Sequence, residues 1–404
     1  VRLVSLLLLV AGLAAGCGRP PAPDAAADAA LLTAPWDSVE AAARGRTLDV
    51  AMWGGDPFVN RYVREHLADW MAREHGVTVR FAALQGNQIV SALQTEQQAG
   101  ARASAYDLVW INGETFYQLR QLDALWGPFV ERLPNARYVA LDNPFIGLDF
   151  QQPTGGYEAP WGNVQFVMVH DAARVPVPPT TPDALAAWIE ANPGRFTWDS
   201  EFTGLTFLKS LLLHFHGGPM TGPFDEAAYT AAREKLWAWL DRVEPHLWRG
   251  GETFPTGVAQ LHQLFAAGEV DFTMSNNDGE VDNKALQGVL PPTARGFALE
   301  TGVIQNTHYW GIPAGSPDKA AAMVAIDHLL SPAAQFEKLK PAVWGDGSVL
   351  DAARLPAAWA DSFAAVPGRR LTPPRAALQP FARPEPAAEV TIRLAADVRA
   401  WIRR

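Results

Sequence analysis

Six short segments set glycine beside carboxylate, amide or indole side chains: Trp53-Gly54-Gly55-Asp56, Gln85-Gly86-Asn87, Asn112-Gly113-Glu114, Trp161-Gly162-Asn163, Trp198 to Thr203 and Ser275 to Asp278. This mixture suits reversible recognition of a small molecule, which needs a few oriented hydrogen bonds and flat apolar surface. Among 15 tryptophans, Trp53, Trp161 and Trp198 are flanked by glycine or polar residues and are candidates for an aromatic wall. Trp310 is a fourth, at the end of an expected strand. Trp110 and Trp239 are assigned to packing. Set against Asp56, Glu114, Glu201 or Asp278, such a wall would hold a cation, each contact contributing ~0.5–2 kcal/mol. Asn87, Asn112, Asn163 and Asn276 would orient the ligand. A micromolar ligand requires about 8 kcal/mol, within reach of two such contacts plus hydrogen bonds.

Other chemistries find less support. The run Ser275 to Asn283 suggests a calcium loop, but with Gly279 at the sixth position Met274 and Ala285 fall where carboxylates are required. His214 and His216 are two apart and diverge on a helix, unlike a zinc-binding pair four apart. No phosphate-binding Gly-Lys loop, nucleophile elbow or His-Glu-x-x-His motif occurs. Carboxylates abound, so a secreted two-domain hydrolase stays open as an alternative. No enzyme activity, cofactor or metal is expected.

The elements that must position these loops alternate. Leu48 to Trp53, Val77 to Phe81 and Tyr106 to Ile111 read as strands, separated by helices from Phe58 to His75 and from Gln85 to about Gly100. Strand, helix, strand, helix, strand is parallel α/β. In open sheets of that kind ligands bind at the carboxyl ends of strands, which selects the glycine-bearing loops. Val164 to His170 reads as a strand leaving this unit for a second one, with a short strand Phe196 to Asp199, helices over 203–215, 225–240 and 257–267, and a strand Val270 to Met274. Gly302 to Ile304 and Trp310 to Pro313 bring the chain back. The expectation is two lobes with crossing strands and a cleft between them: 46–163 with 305–404, and 164–304. The final helix, Val390 to Arg404, is placed over the first lobe.

At 404 residues the chain exceeds what one core serves. The net charge of -10 and the absence of a long basic cluster argue against nucleic-acid binding. Residues 1–17 carry a positive charge, a short apolar run and small residues before the only cysteine, Cys17, so no intramolecular disulfide is possible. This reads as a secretory signal, followed by a linker over 18–45. Leu13-Ala14-Ala15-Gly16-Cys17 resembles the lipobox of bacterial lipoproteins, although Ala14 stands where the family pattern prefers Leu, three places before Cys. Lipidation at Cys17 is expected, with ordinary cleavage near Ala15 as the alternative.

Leu48 to Asn60, Tyr106 to Glu114, Gly156-Tyr157-Glu158-Ala159-Pro160-Trp161-Gly162 and Met274-Ser275-Asn276-Asn277 resemble extracytoplasmic solute-binding proteins of ABC transporters, specifically the YnjB-type branch. Trp310 to Pro317, the helix Ala320 to Ser331 and Ala333-Ala334-Gln335 resemble the C-terminal signature of the wider class. The resemblance covers about Leu48 to Leu339. It implies a two-lobed, type II-like periplasmic binding fold, hinge closure on a small-molecule ligand, and delivery to a membrane permease. Relation to thiamine-, polyamine- and iron-type binders, with the adjacent tyrosine pair of ferric-ion binders missing, makes a cationic or heteroaromatic, thiamine-like nutrient the first expectation. A carbohydrate ligand is the alternative. The protein is expected to be a periplasmic monomer, anchored if Cys17 is acylated.

Overall fold

The computed structural model describes residues 25–366 and 369–403. Cys17 and the expected signal segment lie outside the described residues. Parallel pairing of Thr47–Met52 with Thr78–Ala83 on one side and Leu108–Ile111 on the other forms the centre of the larger sheet. An eleven-residue strand, Val303–Pro313, runs antiparallel to Leu108–Ile111 and to Glu158–Gln165. Period-two alternation separates the faces. Leu48, Val50, Met52, Trp110 and Trp310 enter one core. Ala51, Val109, Ile111 and Tyr309 enter another on the opposite side.

A smaller antiparallel sheet centres on Val167–Asp171, flanked by Phe272–Ser275 and Ala294–Phe297. The fifteen-residue helix Phe202–His216 is buried along most of its length and organises this second core. Its partner Glu226–Val243 begins at Asp225, whose carboxylate accepts from Ala227 N–H and Ala228 N–H. The chain passes from the large to the small sheet at Phe166 and returns between Phe297 and Val303. The molecule is therefore two-lobed, with two sheet strands running through the junction.

Several elements differ from the sequence reading. Part of the expected linker, 25–45, holds helices Ala25–Leu31 and Trp36–Ala43. Val39 and Ala43, four apart, bury one stripe in the core shared with the helix Lys319–Leu329, an apolar repeat masked by the flanking prolines. The expected strand Phe196 to Asp199 is irregular. The segment expected as one helix over 58–75 contains a π-helical stretch, Arg64–Asp69, before it stops at Gly76 with φ 66°. The two returning segments, expected separately, are one strand.

The C-terminal helix, Ala388–Ile402, is a correction of larger consequence. Val390, Leu394, Val398 and Trp401 enter the core of the second lobe, not the first. The Trp401 ring stacks 6.3 Å from Trp198 and lies 6.1 Å from Phe254. Residues 305–404 thus cross back to the second lobe after completing the first. Arg399 and Arg403 are exposed, as expected for a solvated face.

Candidate functional site

Four of the expected segments meet at the lobe junction, those around Gly86, Gly113, Phe202 and Asn276. In the first lobe a Cβ on Gly86 would lie 2.2 Å from Thr115 Oγ1 and 3.3 Å from Asn112 Oδ1, so the helix Gly86–Gln98 starts directly against the loop after Leu108–Ile111. In the second lobe Asn276 Nδ2 donates to Thr203 Oγ1 at 2.8 Å, joining two further expected loops. Across the junction a Cβ on Gly113 would sit 3.3 Å from the Phe202 ring. Gly113, at φ 58°, allows both the turn and that approach.

Within this region the expected ligand residues divide. Trp53 is half-buried, edge-on to Trp110 at 6.2 Å. Asn112 and Glu114 are half-buried and their side chains make no hydrogen bond among the described residues. Asn276 retains an unpartnered Oδ1. Asn87 and Glu201 are exposed.

The remaining indoles are core residues, which corrects the expected aromatic wall. Trp161 and Trp310 are at most 1% exposed, 4.9 Å apart, and packed with Trp110, Trp344 and Tyr62. Trp198 is 1% exposed among Phe196, Phe207, Phe254 and Trp401. Neighbouring glycine and polar residues indicated a cleft position. A strand residue's direction, however, is set by sheet register, which points Trp161 and Trp310 into the layer, while Trp198, in an irregular segment, is enclosed by the aromatic core of the second lobe.

Three polar expectations are likewise engaged within the protein. Asp56 accepts from Phe58 N–H and Val59 N–H at 2.7 and 3.0 Å, capping the helix Pro57–Val63, and pairs with Lys284 of the other lobe. Asp278 is fully buried, accepting from Gln165 N–H and bonding Arg375 and Arg369. Asn163 donates to Thr307 Oγ1 and accepts from Gln305 and Arg375. Lys284 and Arg375 lie far from their partners in sequence and carried no local signal.

Electrostatics behind the junction is strongly acidic. Asp149 and Glu158 are buried, and burial raises both carboxyl groups well above the usual range, with Glu385 and Glu114 adding to the effect at Asp149. Asp199, beside the start of Phe202–His216, is raised to about 6 by burial despite accepting from Glu201 N–H. On the other face of the sheet, Asp346 lies 3.1 Å from His308 Nε2 and 2.5 Å from Lys338 Nζ. Burial opposes its ionisation, but Lys338 and His308 bring it down to about 2.

A two-lobed α/β molecule with polar loops meeting at the junction is a ligand-closing architecture. A family model described as bacterial extracellular solute-binding protein matches residues 66–366. The chain belongs to this family. It is 37% identical over 331 residues to Protein YnjB of Escherichia coli K12, covering 80% of this chain and 84% of that protein. A putative spermidine/putrescine ABC transporter structure from Listeria monocytogenes shares the fold with a TM-score of 0.61 at 14% identity, covering 88% of this chain and 99% of that one. The periplasmic binding protein AfuA from Actinobacillus pleuropneumoniae, with fructose-6-phosphate bound, gives 0.63 at 12% identity, covering 89% and 99%.

As a member of a bacterial extracellular solute-binding protein family, the chain is a receptor for a solute. The family is one of transport receptors, not enzymes. No helix among the described residues is long and apolar enough to cross a membrane. Contacts between the lobes of this solute-binding protein include Asp56 with Lys284, Gly113 with Phe202, Tyr117 Oη with Glu389 Oε1 at 3.2 Å, and Asn283 Nδ2 with the Pro341 carbonyl at 2.7 Å. A ligand that favours these contacts shifts the receptor toward its closed form.

Proposed function

We propose that the solute is a small cationic or heteroaromatic nutrient, thiamine-like in chemistry, with Glu114 as its charge partner and Trp53 and Phe202 as flat neighbours. The observation that carries this is Glu114: a half-buried carboxylate with no hydrogen bond among the described residues, next to the Gly113 and Phe202 contact. A negative field in a cleft concentrates cations and fixes their orientation. Asn112 and Asn276 complete the polar lining. Their amides also suit sugar hydroxyls, which keeps a carbohydrate as the second reading.

Native mass spectrometry of protein purified without refolding, paired with thermal shifts against thiamine, polyamines, quaternary amines and oligosaccharides, tests the reading. Saturable stabilisation by a cation, lost in Glu114→Gln, supports it. Stabilisation by oligosaccharide that survives Glu114→Gln selects the second reading instead. Membrane anchoring through a lipid on Cys17 and a monomeric state are part of the same proposal. They are checked by intact mass of the mature N-terminus and by light scattering.

A further inference from the structure

Behind the lobe junction, where the strand Val303–Pro313 crosses, lies a cavity of about 10 Å³ bordered by Asp149, Phe150, Gln305, Asn306, Thr307 and Glu385. That is room for a single water-sized particle. Its hydrogen-bond balance is one-sided. Asp149 is 3% exposed and Gln305 4%, and among the described residues neither Asp149 Oδ2 nor Gln305 Oε1 has a partner. The donor groups beside them each have an acceptor elsewhere in the protein. Gln305 Nε2 donates to Asn163 Oδ1 at 2.7 Å, Asn306 Nδ2 to Glu385 Oε1 at 3.0 Å, and Thr307 Oγ1 to the Phe145 carbonyl at 2.6 Å.

Charge narrows the occupant. Glu385 is neutralised by Lys209, whose Nζ lies 2.6 Å from Oε2 with both side chains buried. Asp149 forms no ion pair among the described residues; Lys209 offsets its charge only in part and burial favours its neutral form, so the carboxyl group needs either a proton or a cation. Buried acceptors without a donor are costly, and a carboxylate more so. A calcium site requires several carboxylates and six to eight oxygens. Among the described residues no group of three or more His, Cys, Asp or Glu is arranged for a metal ion. One negative charge, a neutral amide oxygen and a water-sized volume match a small monovalent cation.

We propose that this cavity is a sodium-type monovalent-cation site, with Asp149 Oδ2 and Gln305 Oε1 among its oxygen ligands. The ion would tie the through-running strand to the segment around Asp149 and, through Asn306, to Glu385 on the path to the C-terminal helix. It therefore steadies the junction about which the lobes move, independently of the solute proposed above. The upward push that burial and Glu385 exert on Asp149 is what a bound cation would offset.

The test compares thermal unfolding of the protein in sodium chloride and in N-methylglucamine chloride at equal ionic strength. It is run on the native chain and on Glu114→Gln, so that a cation held in the cleft is not counted. Sodium is expected to raise the midpoint by several degrees and to saturate, with the effect lost in Asp149→Asn and kept in the exposed control Glu131→Gln. Crystals grown with thallium(I) give the location, with an anomalous peak expected within bonding reach of Asp149 Oδ2 and Gln305 Oε1. Equal midpoints in the two salts overturn the proposal. So does the absence of that peak, whatever the salt dependence, since a water would then fill the cavity; this arm decides the matter even if Asp149→Asn does not fold.

Discussion

The Asp56 carboxylate caps the helix Pro57–Val63 in one lobe and pairs with Lys284 in the other. A single side chain thus couples local helix geometry to the relative position of the lobes. Both side chains are nearly buried, 7% and 11% exposed, and without Asp56 the Lys284 ammonium keeps only Glu280, 3.6 Å away, so the loss should cost less than the ~3 kcal/mol of a wholly uncompensated buried charge. Asn caps a helix about as well as Asp, so Asp56→Asn removes the pairing and spares the cap. The variant should show a larger radius of gyration by X-ray scattering without added ligand, and faster ligand release. A scattering curve superimposable on the native one would show that the pair does not hold the lobes.

Tryptophans that look alike in sequence should respond differently. Trp161→Ala and Trp198→Ala each remove a wholly buried indole and should cost about 3–5 kcal/mol in urea unfolding. Trp53→Ala should leave the unfolding midpoint nearly unchanged and weaken ligand binding in calorimetry. A native midpoint in Trp161→Ala would contradict its core assignment.

Trp401 tests the path of the C-terminal segment. It is 2% exposed beside Trp198 and Phe254. Trp401→Ala should speed amide exchange in Phe202–His216 and Glu226–Val243 more than in the strands Thr47–Met52 and Leu108–Ile111, because the lost packing belongs to the second core. Faster exchange confined to the first lobe would reverse the assignment of this helix.

Acid sensitivity should arise in part from His328. Its ring stacks on Trp70 at 3.7 Å, and burial, with nearby His66 and Arg73, lowers its pKa to about 3. The unfolded chain therefore binds the extra proton first, and stability falls as pH drops from about 6.5 toward 3, by at most ~1.4 kcal/mol per unit. Asp199 and Asp327, both raised to about 6, act in the opposite sense, favouring the fold as pH falls from 6 toward 4. His328→Phe keeps the stacking and removes the titration. Its melting temperature should decline less between pH 6.5 and 4 than that of the native chain, whereas parallel profiles would exclude His328 as the source.

Much of the candidate site was legible because its loops follow predictable strands. Gly113, Asn112 and Glu114 end Leu108–Ile111, and Gln85 to Asn87 open the next helix, as strand and helix signals indicated. Phe202 lies inside the selected segment Trp198 to Thr203, but nothing local distinguishes it from a core phenylalanine; its place against Gly113 depends on the fold. Asp149 and Gln305 had no signal: they are distant in sequence, and their unpartnered oxygens appear only when the chain is folded.

The order of apolar and glycine-rich segments by itself determined the parallel α/β core and the two-lobed plan, since periodicity and loop chemistry are local properties written along the chain, and the family was legible through the resemblance of particular segments. Only tertiary structure decided which polar and aromatic residues are free to meet a ligand. Asp56 is committed to Lys284, Asp278 to Arg375, and Trp161 and Trp198 to the cores of different lobes, while Glu114 has no hydrogen-bond partner among the described residues. Burial and pairing depend on residues brought together from far apart, and no local pattern encodes which of several similar side chains will find such a partner.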